Sequence, residues 1–595
     1  MSVVDASELL RRSLRAHEAG DLAAAAAGYR DVLAADPGQI DATHYLGMVA
    51  YQKGDSESAL NLVGKAASAR PDDPSILANY GLVLNAANRL DDASRALEQS
   101  LARSEKQPEA WFNLALTRLA QGQLDNAIEC HRKAILVAPG HRRARLELAR
   151  LLMLSERTPE ARKILEDGYR LDPEDHALLL ELGKVRELSS DIDAAVMAYQ
   201  VVLDSDDQLR GKALTRLSTL MRRNGRPASA LVAARSAIWA DPDDHDAHRG
   251  LGQCLKELGR LRDAALSFRR AHTILRRPGS KEGMDRQSFT RTSKAKLLHD
   301  IQQFEYLIEK GEDEQHLRPL IRDHQALLST MPEQLGNGQV VPIPGPLLQR
   351  VAPYYNRCHN YVDSPRLDGP AISPDLDKDT IEKNYYDNDP GYTWVDQVLT
   401  QPALEGLRRH CLESTIWYDF EHANGYSGAY LQEGLNCPLI IQIAEELPRA
   451  FPEIFADHVL MQLWAYKYGS NRAGINMHAD FAAVNVNFWI TPNESNLDPE
   501  SGGLVLWDKE APPEWGVDEY NTDNPAQQQR MRDYLEEAGA RKIVVPHRQN
   551  RFLIFNSDLF HKTDDIVFAD GYENRRINIT MLYGTRDANK RGRQS

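Results

Sequence analysis

Apolar and polar positions recur with two different periods along this chain, and the change of period divides it. Up to about residue 275 apolar residues fall at helical spacing, as at Phe112, Leu116 and Leu119, so this part predicts amphipathic helices. Leu297, Leu298, Ile301, Phe304, Leu307 and Ile308 continue that spacing and predict one or two helices over Ser293–Leu328. Residues 335–393 break the pattern with turn-forming stretches such as Val341-Pro-Ile-Pro-Gly-Pro, and read as an extended connection anchored by Tyr354, Tyr355 and Tyr361. From residue 394 two helical segments come first, Pro402–Ser414 and Gly434–Leu447. The period then shortens to strand-like runs over Val459–Tyr468, Val484–Thr491, Gly503–Trp507, Lys542–Val545, Arg551–Asn556 and Arg576–Tyr583.

The helical half repeats. A turn position recurs at Gly20, Gly54, Asn88, Gly122, Glu156, Ser190, Gly225 and Gly259, with a spacing of 34 and one step of 35. Five positions further the residue is always alanine: Ala25, Ala59, Ala93, Ala127, Ala161, Ala195, Ala230 and Ala264. The ends of the repeats read Pro37, Pro71, Glu105, Pro139, Pro173, Asp207 and Pro242. Each column has a physical reason: the turn residue tolerates the backbone between two helices, alanine lets them pack closely, and proline cannot continue the second helix. The columns resemble the tetratricopeptide repeat, covering residues 6–275 as about eight repeats of an all-α solenoid. The resemblance implies a concave face that binds a peptide or a partner protein, or else an array that only braces its neighbours. Asn79 and Asn113 stand where such arrays often make contacts; either reads equally well as a solvated polar position. Residues 276–334 read as a helical cap on the end of the array.

Composition changes little in this picture. The chain has 595 residues, too many for one core. A net charge of −15 argues against non-specific nucleic-acid binding without excluding a local basic groove. Five scattered cysteines, at 130, 254, 358, 411 and 437, form no paired framework and fit reduced thiols in a cytoplasmic setting. Neither a signal peptide nor an 18-residue apolar run is seen, so no membrane association is expected.

Chemistry concentrates late in the chain. His478 and Asp480, two residues apart, can face one cavity, and His561 closes a second apolar run, Phe552-Leu-Ile-Phe-Asn-Ser-Asp-Leu-Phe-His. Two imidazoles and one carboxylate make a facial triad for non-haem Fe(II). A lone His478 would read as a core histidine; Asp480 and His561 move it toward metal ligation. His547 competes for the second histidine position, but it precedes the Phe552–Asn556 run instead of closing it. In the last strand Arg576, Asn578 and Thr580 share one face, and Ile577, Ile579 and Met581 the other. An arginine there is either salt-bridged at the surface or the bidentate receptor of a carboxylate. Arg575 falls on the apolar face or at the strand edge. Gln462, Trp464 and Tyr466 share the Tyr468 face and either line a pocket or fill the interior.

The order His478-x-Asp480, His561, Arg576-Ile-Asn-Ile-Thr resembles the Fe(II)- and 2-oxoglutarate-dependent dioxygenases, with the prolyl-hydroxylase branch nearest. Tyr468-Gly and Ser501-Gly-Gly-Leu-Val-Leu add to the likeness. Leu582 departs from the nucleic-acid demethylase branch, which carries a second arginine there. The resemblance implies a double-stranded β-helix, or jelly roll, with flanking helices over residues 394–588. It implies Fe(II) held by His478, Asp480 and His561, and 2-oxoglutarate held by Arg576 with Asn578, Tyr468 and Asn487 as further candidates. The acidic insertion 508–541, with Trp515 and Tyr520, would cover the substrate. With O2 as co-substrate, the implied activity is hydroxylation of a protein or peptide brought by the repeats, the ligand carboxylate favouring hydroxylation over halogenation. Alternatives are a small-molecule or carrier-bound substrate, or a repeat scaffold whose oxygenase domain is inactive.

Overall fold

The computed structural model describes residues 3–280, 282–283, 286–470 and 474–585. They fall into two compact units, Met1–Ala213 and Leu214–Ser595, and the helix Asp207–Arg223 crosses the boundary.

The first unit is helical hairpins, from Val3–Glu18 paired with Leu22–Ala35 through His176–Leu188 paired with Ile192–Val202. All the turn positions foreseen in the sequence have left-handed backbone. The φ angles run from 69° to 82° at the five glycines and are 58°, 58° and 59° at Asn88, Glu156 and Ser190. All eight column alanines are fully buried. Prolines 37, 71, 139 and 173 stand two residues past the ends of the second helices.

The second unit opens with the last two hairpins, of which Pro227–Ala240 and Leu261–Arg276 are the second helices. Gly252 shows how tightly a hairpin closes: an added Cβ would come 2.5 Å from the Phe268 ring. The helices Lys294–Glu309 and Glu314–Ser329 do not cap these repeats as expected. They lie against the sheet domain, where Lys296 Nζ donates to the Trp417 carbonyl at 3.0 Å and Gln303 Nε2 to the Leu412 and Ser414 carbonyls. The last repeat is covered instead by the segments around Tyr418, Glu433 and Glu445, through Arg276–Glu433 and Arg262–Glu445 ion pairs at 2.6 Å. The connection 335–393 holds two short helices, Gly345–Val351 and Lys378–Asp387. Of its tyrosine anchors Tyr355 is buried, while Tyr354 is 42% exposed.

Arg291–Thr292 (β1) and Val341–Pro342 (β2) form a small ladder. Among the described residues the main β region has nine strands. Six make one sheet: Tyr392–Val395 (β3), Ser427–Tyr430 (β4), Leu460–Tyr468 (β5), Val484–Trp489 (β6), Phe552–Asn556 (β9) and Arg576–Tyr583 (β11). Their order is β3-β9-β6-β11-β5-β4, antiparallel throughout. Leu504–Glu510 (β7), Lys542–Val545 (β8) and Leu559–Thr563 (β10) make a second antiparallel sheet, ordered β10-β7-β8. Trp489, Leu553 and Phe555 of the first sheet pack on Leu504, Leu506, Val545 and Leu559 of the second, so the two lie face to face. The other face of the large sheet, with Ile577, Ile579 and Met581, is covered by the helices Gln401–Glu413 and Pro438–Ala450. The alternation read from the last strand is therefore real: its apolar side meets helices and its polar side looks between the sheets.

Candidate metal centre

Residue register decides what meets between the sheets. Along β11, Arg576 pairs with Tyr468 of β5, and Asn578 lies between Tyr466 of β5 and Trp489 of β6. Thr580 lies between Trp464 and Asn487. One polar strip across three strands results, buried along its Arg576, Asn578, Thr580 and Asn487 positions.

His561 reaches this interior from the opposite sheet. Asn556 ends β9, Ser557 and Asp558 turn the chain, and β10 begins at Leu559, so His561 sits on its own strand instead of closing the previous one. His478 lies antiparallel to it, each backbone N–H donating to the other's carbonyl at 2.9 and 2.8 Å. Asp480 is fixed by its N–H to the Ser557 carbonyl at 3.0 Å. The ligand atoms of His478, Asp480 and His561 fall within 4.8 Å of one another. His561 Nε2 is 3.6 Å and His478 Nε2 4.0 Å from the Asp480 carboxylate.

The ring nitrogens are assigned by their partners. His478 Nδ1 lies 2.8 Å from the Asn476 carbonyl and His561 Nδ1 lies 3.0 Å from the Leu559 carbonyl. A carbonyl only accepts, so both Nδ1 atoms carry hydrogen and both Nε2 lone pairs face Asp480, the tautomer a metal ligand needs. Burial, followed by the neighbouring His478, holds His561 well below the ordinary imidazole value, so it is neutral. Burial raises the Asp480 carboxyl, opposed by His478 and by the Asn485 amide, which donates to it at 2.6 Å.

A cavity of about 500 Å³ opens beside His478 and Asp480, walled by Tyr426, Tyr430, Trp464 and Tyr466. The insertion 508–541 forms a helix, Pro525–Glu537, and grips the ligand-bearing segment more than it roofs it. Gln528 Nε2 donates to the Met477 carbonyl at 2.7 Å, Asn521 Nδ2 to the Ala479 carbonyl at 3.2 Å, and Asn476 Nδ2 to Asp523 at 2.8 Å. Trp515 and Tyr520 pack on Met477, Ala479 and Phe560.

Arg576 is buried, and among the described residues it has no ion-pair partner. Its Nε donates to the Gly502 carbonyl at 2.6 Å and one terminal nitrogen to the Gly503 carbonyl at 3.1 Å, leaving Nη1 unpartnered. The Gly-Gly pair thus presents carbonyls to the guanidinium, and Gly503 has no room for a side chain against the Val545 carbonyl. The Arg576 guanidinium lies 5.0 Å from the Tyr468 ring centre. Burial lowers its pKa to about 10, so it stays charged. His547 belongs here and not with the triad: its ring is 6.0 Å from that of Trp489, and burial, with Arg576 next, brings it to about 3. His547, Trp489 Nε1 and Asn578 Oδ1 are also buried without partners. Arg575 points away, to Gln302. Sequence reasoning missed Asn485, His547 as a neighbour of Arg576, and the clamp from 521–528.

Among the described residues one further group could hold a metal, Asp244, His245 and Asp246. Its carboxylates are committed: Asp244 caps the helix His245–Glu257, and Asp246 pairs with Arg249 at 2.6 Å.

Family models of the tetratricopeptide repeat match residues 16–79 and 118–182, and a second such model matches 81–135 and 216–275. The N-terminal part is thus built of tetratricopeptide repeats, and a β-rich region follows it. No curated protein matches the chain. Among solved structures, a tetratricopeptide repeat protein from Parabacteroides merdae is 16% identical, with 42% of this chain and 98% of that one covered and a TM-score of 0.32. PilF of Pseudomonas aeruginosa is 20% identical, covering 33% and 90%, with a TM-score of 0.31. PilW, a type IV pilus biogenesis factor, is 21% identical, covering 34% and 94%, with a TM-score of 0.31.

Proposed function

We propose that the β-rich region is a jelly-roll Fe(II)- and 2-oxoglutarate-dependent dioxygenase that hydroxylates a protein or peptide substrate recruited by the repeats. One observation carries this reading: two histidines, each with Nδ1 tied to a backbone carbonyl, turn Nε2 toward one buried carboxylate. That donor set suits Fe(II) and leaves one side of the ion for other ligands. When bound, iron with 2-oxoglutarate and O2 supplies hydroxylation of a C–H bond, giving succinate and carbon dioxide.

The chain's own residues do the rest. Arg576, charged and with Nη1 unpartnered, suits the distal carboxylate of 2-oxoglutarate. Tyr468 stacks beside it, and the Asn487, Asn578 and Thr580 side chains hold one another in the strip between arginine and triad. The tyrosine-lined cavity gives a substrate side chain a largely aromatic approach to His478 and Asp480. Facing antiparallel sheets of six and three strands, with helices on the outer face, support the jelly-roll assignment.

The test is metal and co-substrate binding under nitrogen, followed by admission of oxygen. Wild-type protein is expected to bind one Fe(II) and one 2-oxoglutarate per chain and to form succinate. His561→Ala is expected to lose iron, and Arg576→Gln to weaken 2-oxoglutarate binding about 10- to 100-fold with iron retained. Unchanged iron binding in His561→Ala together with unchanged co-substrate binding in Arg576→Gln would sink the proposal.

A further inference from the structure

A second cavity, of about 510 Å³, lies beside the one at the metal centre, and Tyr430 lines both. One wall belongs to the first helices of the last two repeats. On Asp207–Arg223 the positions 216, 219 and 223 share a face by helical spacing, as do 246, 249 and 253 on His245–Glu257. The facing wall is Tyr430, Gln432 and Glu433, from the end of β4 onward.

The lining carries four arginines, 216, 222, 223 and 249, against two carboxylates, Asp246 and Glu433, in a chain whose net charge is −15. Both carboxylates are taken. Glu433 is held at 2.6 Å by Arg276, which lies outside the lining, and Asp246 is held at 2.6 Å by Arg249. Arg222 pairs at 2.6 Å with Glu257, also outside it. Arg216 is exposed and makes no hydrogen bond or ion pair among the described residues. The cavity therefore offers positive charge next to uncharged donors and acceptors on Thr219, Gln253 and Gln432. A cleft whose lining holds more charge of one sign concentrates the opposite sign.

We propose that this cavity docks an acidic stretch of the polypeptide substrate, which then passes over Tyr430 and presents a neighbouring residue to the metal centre. The inference deepens the hydroxylase reading and rests on it. It names the substrate class, a peptide with glutamate or aspartate flanking the modified residue, and places the selectivity in the seventh and eighth repeats. An extended polypeptide suits the site because its carboxylates can reach the arginines while its backbone meets the threonine and glutamine side chains.

The experiment uses the full chain and a fluorescein-labelled peptide of alternating Glu and Gly, with Gln-Gly and Lys-Gly peptides and a short single-stranded RNA as comparators. Fluorescence anisotropy is read under nitrogen, with Fe(II) and 2-oxoglutarate and again without them. The Glu-Gly peptide alone is expected to bind, more weakly as salt rises. Arg216→Glu with Arg223→Glu is expected to weaken it about tenfold or more and to gain affinity for the Lys-Gly peptide. Arg226→Glu with Arg235→Glu, a matched charge change outside the lining, is expected to leave binding unchanged and controls for folding and net charge. Equal binding of Gln-Gly and Glu-Gly, preference for RNA, or loss of binding in the outer pair alone would overturn the proposal. Because binding is read without turnover, charge-selective docking in a protein that forms no succinate would sink the hydroxylase reading while the acidic site itself stood. Succinate formation without charge-selective docking would do the reverse.

Discussion

Asn485 joins the Asp480 carboxylate to the strip that leads to Arg576. Its amide donates to Asp480 at 2.6 Å, its carbonyl accepts from Asn487 at 2.7 Å, and the Asn487 carbonyl accepts from Asn578 and Thr580 at 2.8 Å. Each link has a fixed direction, so the chain delivers N–H to Asp480 and favours its ionised form against the burial that opposes it. Removing the donor is expected to cost about 10- to 100-fold in metal affinity, the usual effect of losing the partner of a metal ligand. Titrating Asn485→Ala with Mn(II) or Co(II) checks this, and unchanged affinity would show that Asp480 needs no orienting partner. His478, Asp480, His561 and Arg576 were legible because each carries a chemical type at a meaningful spacing. Asn485 was not: an asparagine on a strand face announces nothing until residues 481–483 bend the chain and bring it within reach of Asp480. Asn487, two residues on, was singled out only through the family likeness.

Hairpin turns and short strands show the opposite extremes of legibility. The turn column is glycine at five positions, and Asn88, Glu156 and Ser190 take the same left-handed backbone without being glycine. Position in the repeat therefore overrides residue preference, at an energetic cost. Glu156 has a φ of 58° and an exposed side chain. Left-handed backbone costs a non-glycine residue about 1–2 kcal/mol, and glycine's looser unfolded state returns roughly 0.4–1 kcal/mol of that. Glu156→Gly is thus expected to stabilise its hairpin by about 0.5–1 kcal/mol, and Asn88→Gly by less, because asparagine tolerates this region. Gly122→Ala is the converse: nothing lies within 4 Å of its added Cβ, so the expected loss of about 1 kcal/mol is pure backbone strain. Urea unfolding of the three variants reads all of this, and a stabilising Gly122→Ala would refute it. The strands β3, β4 and β10 escaped notice for a different reason. β3 lies at the end of the turn-rich stretch 335–393, β4 lies between two helical segments, and β10 follows β9 so closely that both read as one run. The helix Pro525–Glu537 did leave a trace, with Asn524 as its cap, Pro525 at its start and Met531 and Leu535 one turn apart on its buried side. The acidic residues around it hid that signal.

At the scale of the whole molecule, the repeat count and the compact units disagree, and the disagreement has consequences. Period and composition place a boundary near residue 275, where the repeats stop. Packing places it near 213, because the last two repeats are built into the sheet domain. Arg262 grips Glu445, Arg269 grips Asp363 at 2.8 Å, Arg276 grips Glu433, and His272 shares a 2.8 Å hydrogen bond with the Tyr418 hydroxyl. Lys256, on the preceding helix, donates to the Met461 carbonyl of β5. A repeat period reports only contacts within and between hairpins and is blind to what else a hairpin touches, so the sequence could not reveal this junction. Two truncations separate the alternatives. Deleting residues 1–206 keeps the helix Asp207–Arg223 whole and is expected to leave a soluble fragment with one cooperative melt. Deleting residues 1–276 strips Glu433 and Tyr418 of buried partners and lays bare the surface on which the last helix rests. Breaking one buried ion pair by removing a single partner costs about 3–5 kcal/mol, a large share of the ~5–15 kcal/mol that holds a domain together. The shorter fragment is therefore expected to aggregate or to melt well below the longer one. Equal melting temperatures and equal resistance to proteolysis would mean that the seventh and eighth repeats are passengers on the sheet domain. The expected difference makes them part of its fold, and fixes the arginine face they carry in place beside His478, Asp480 and His561.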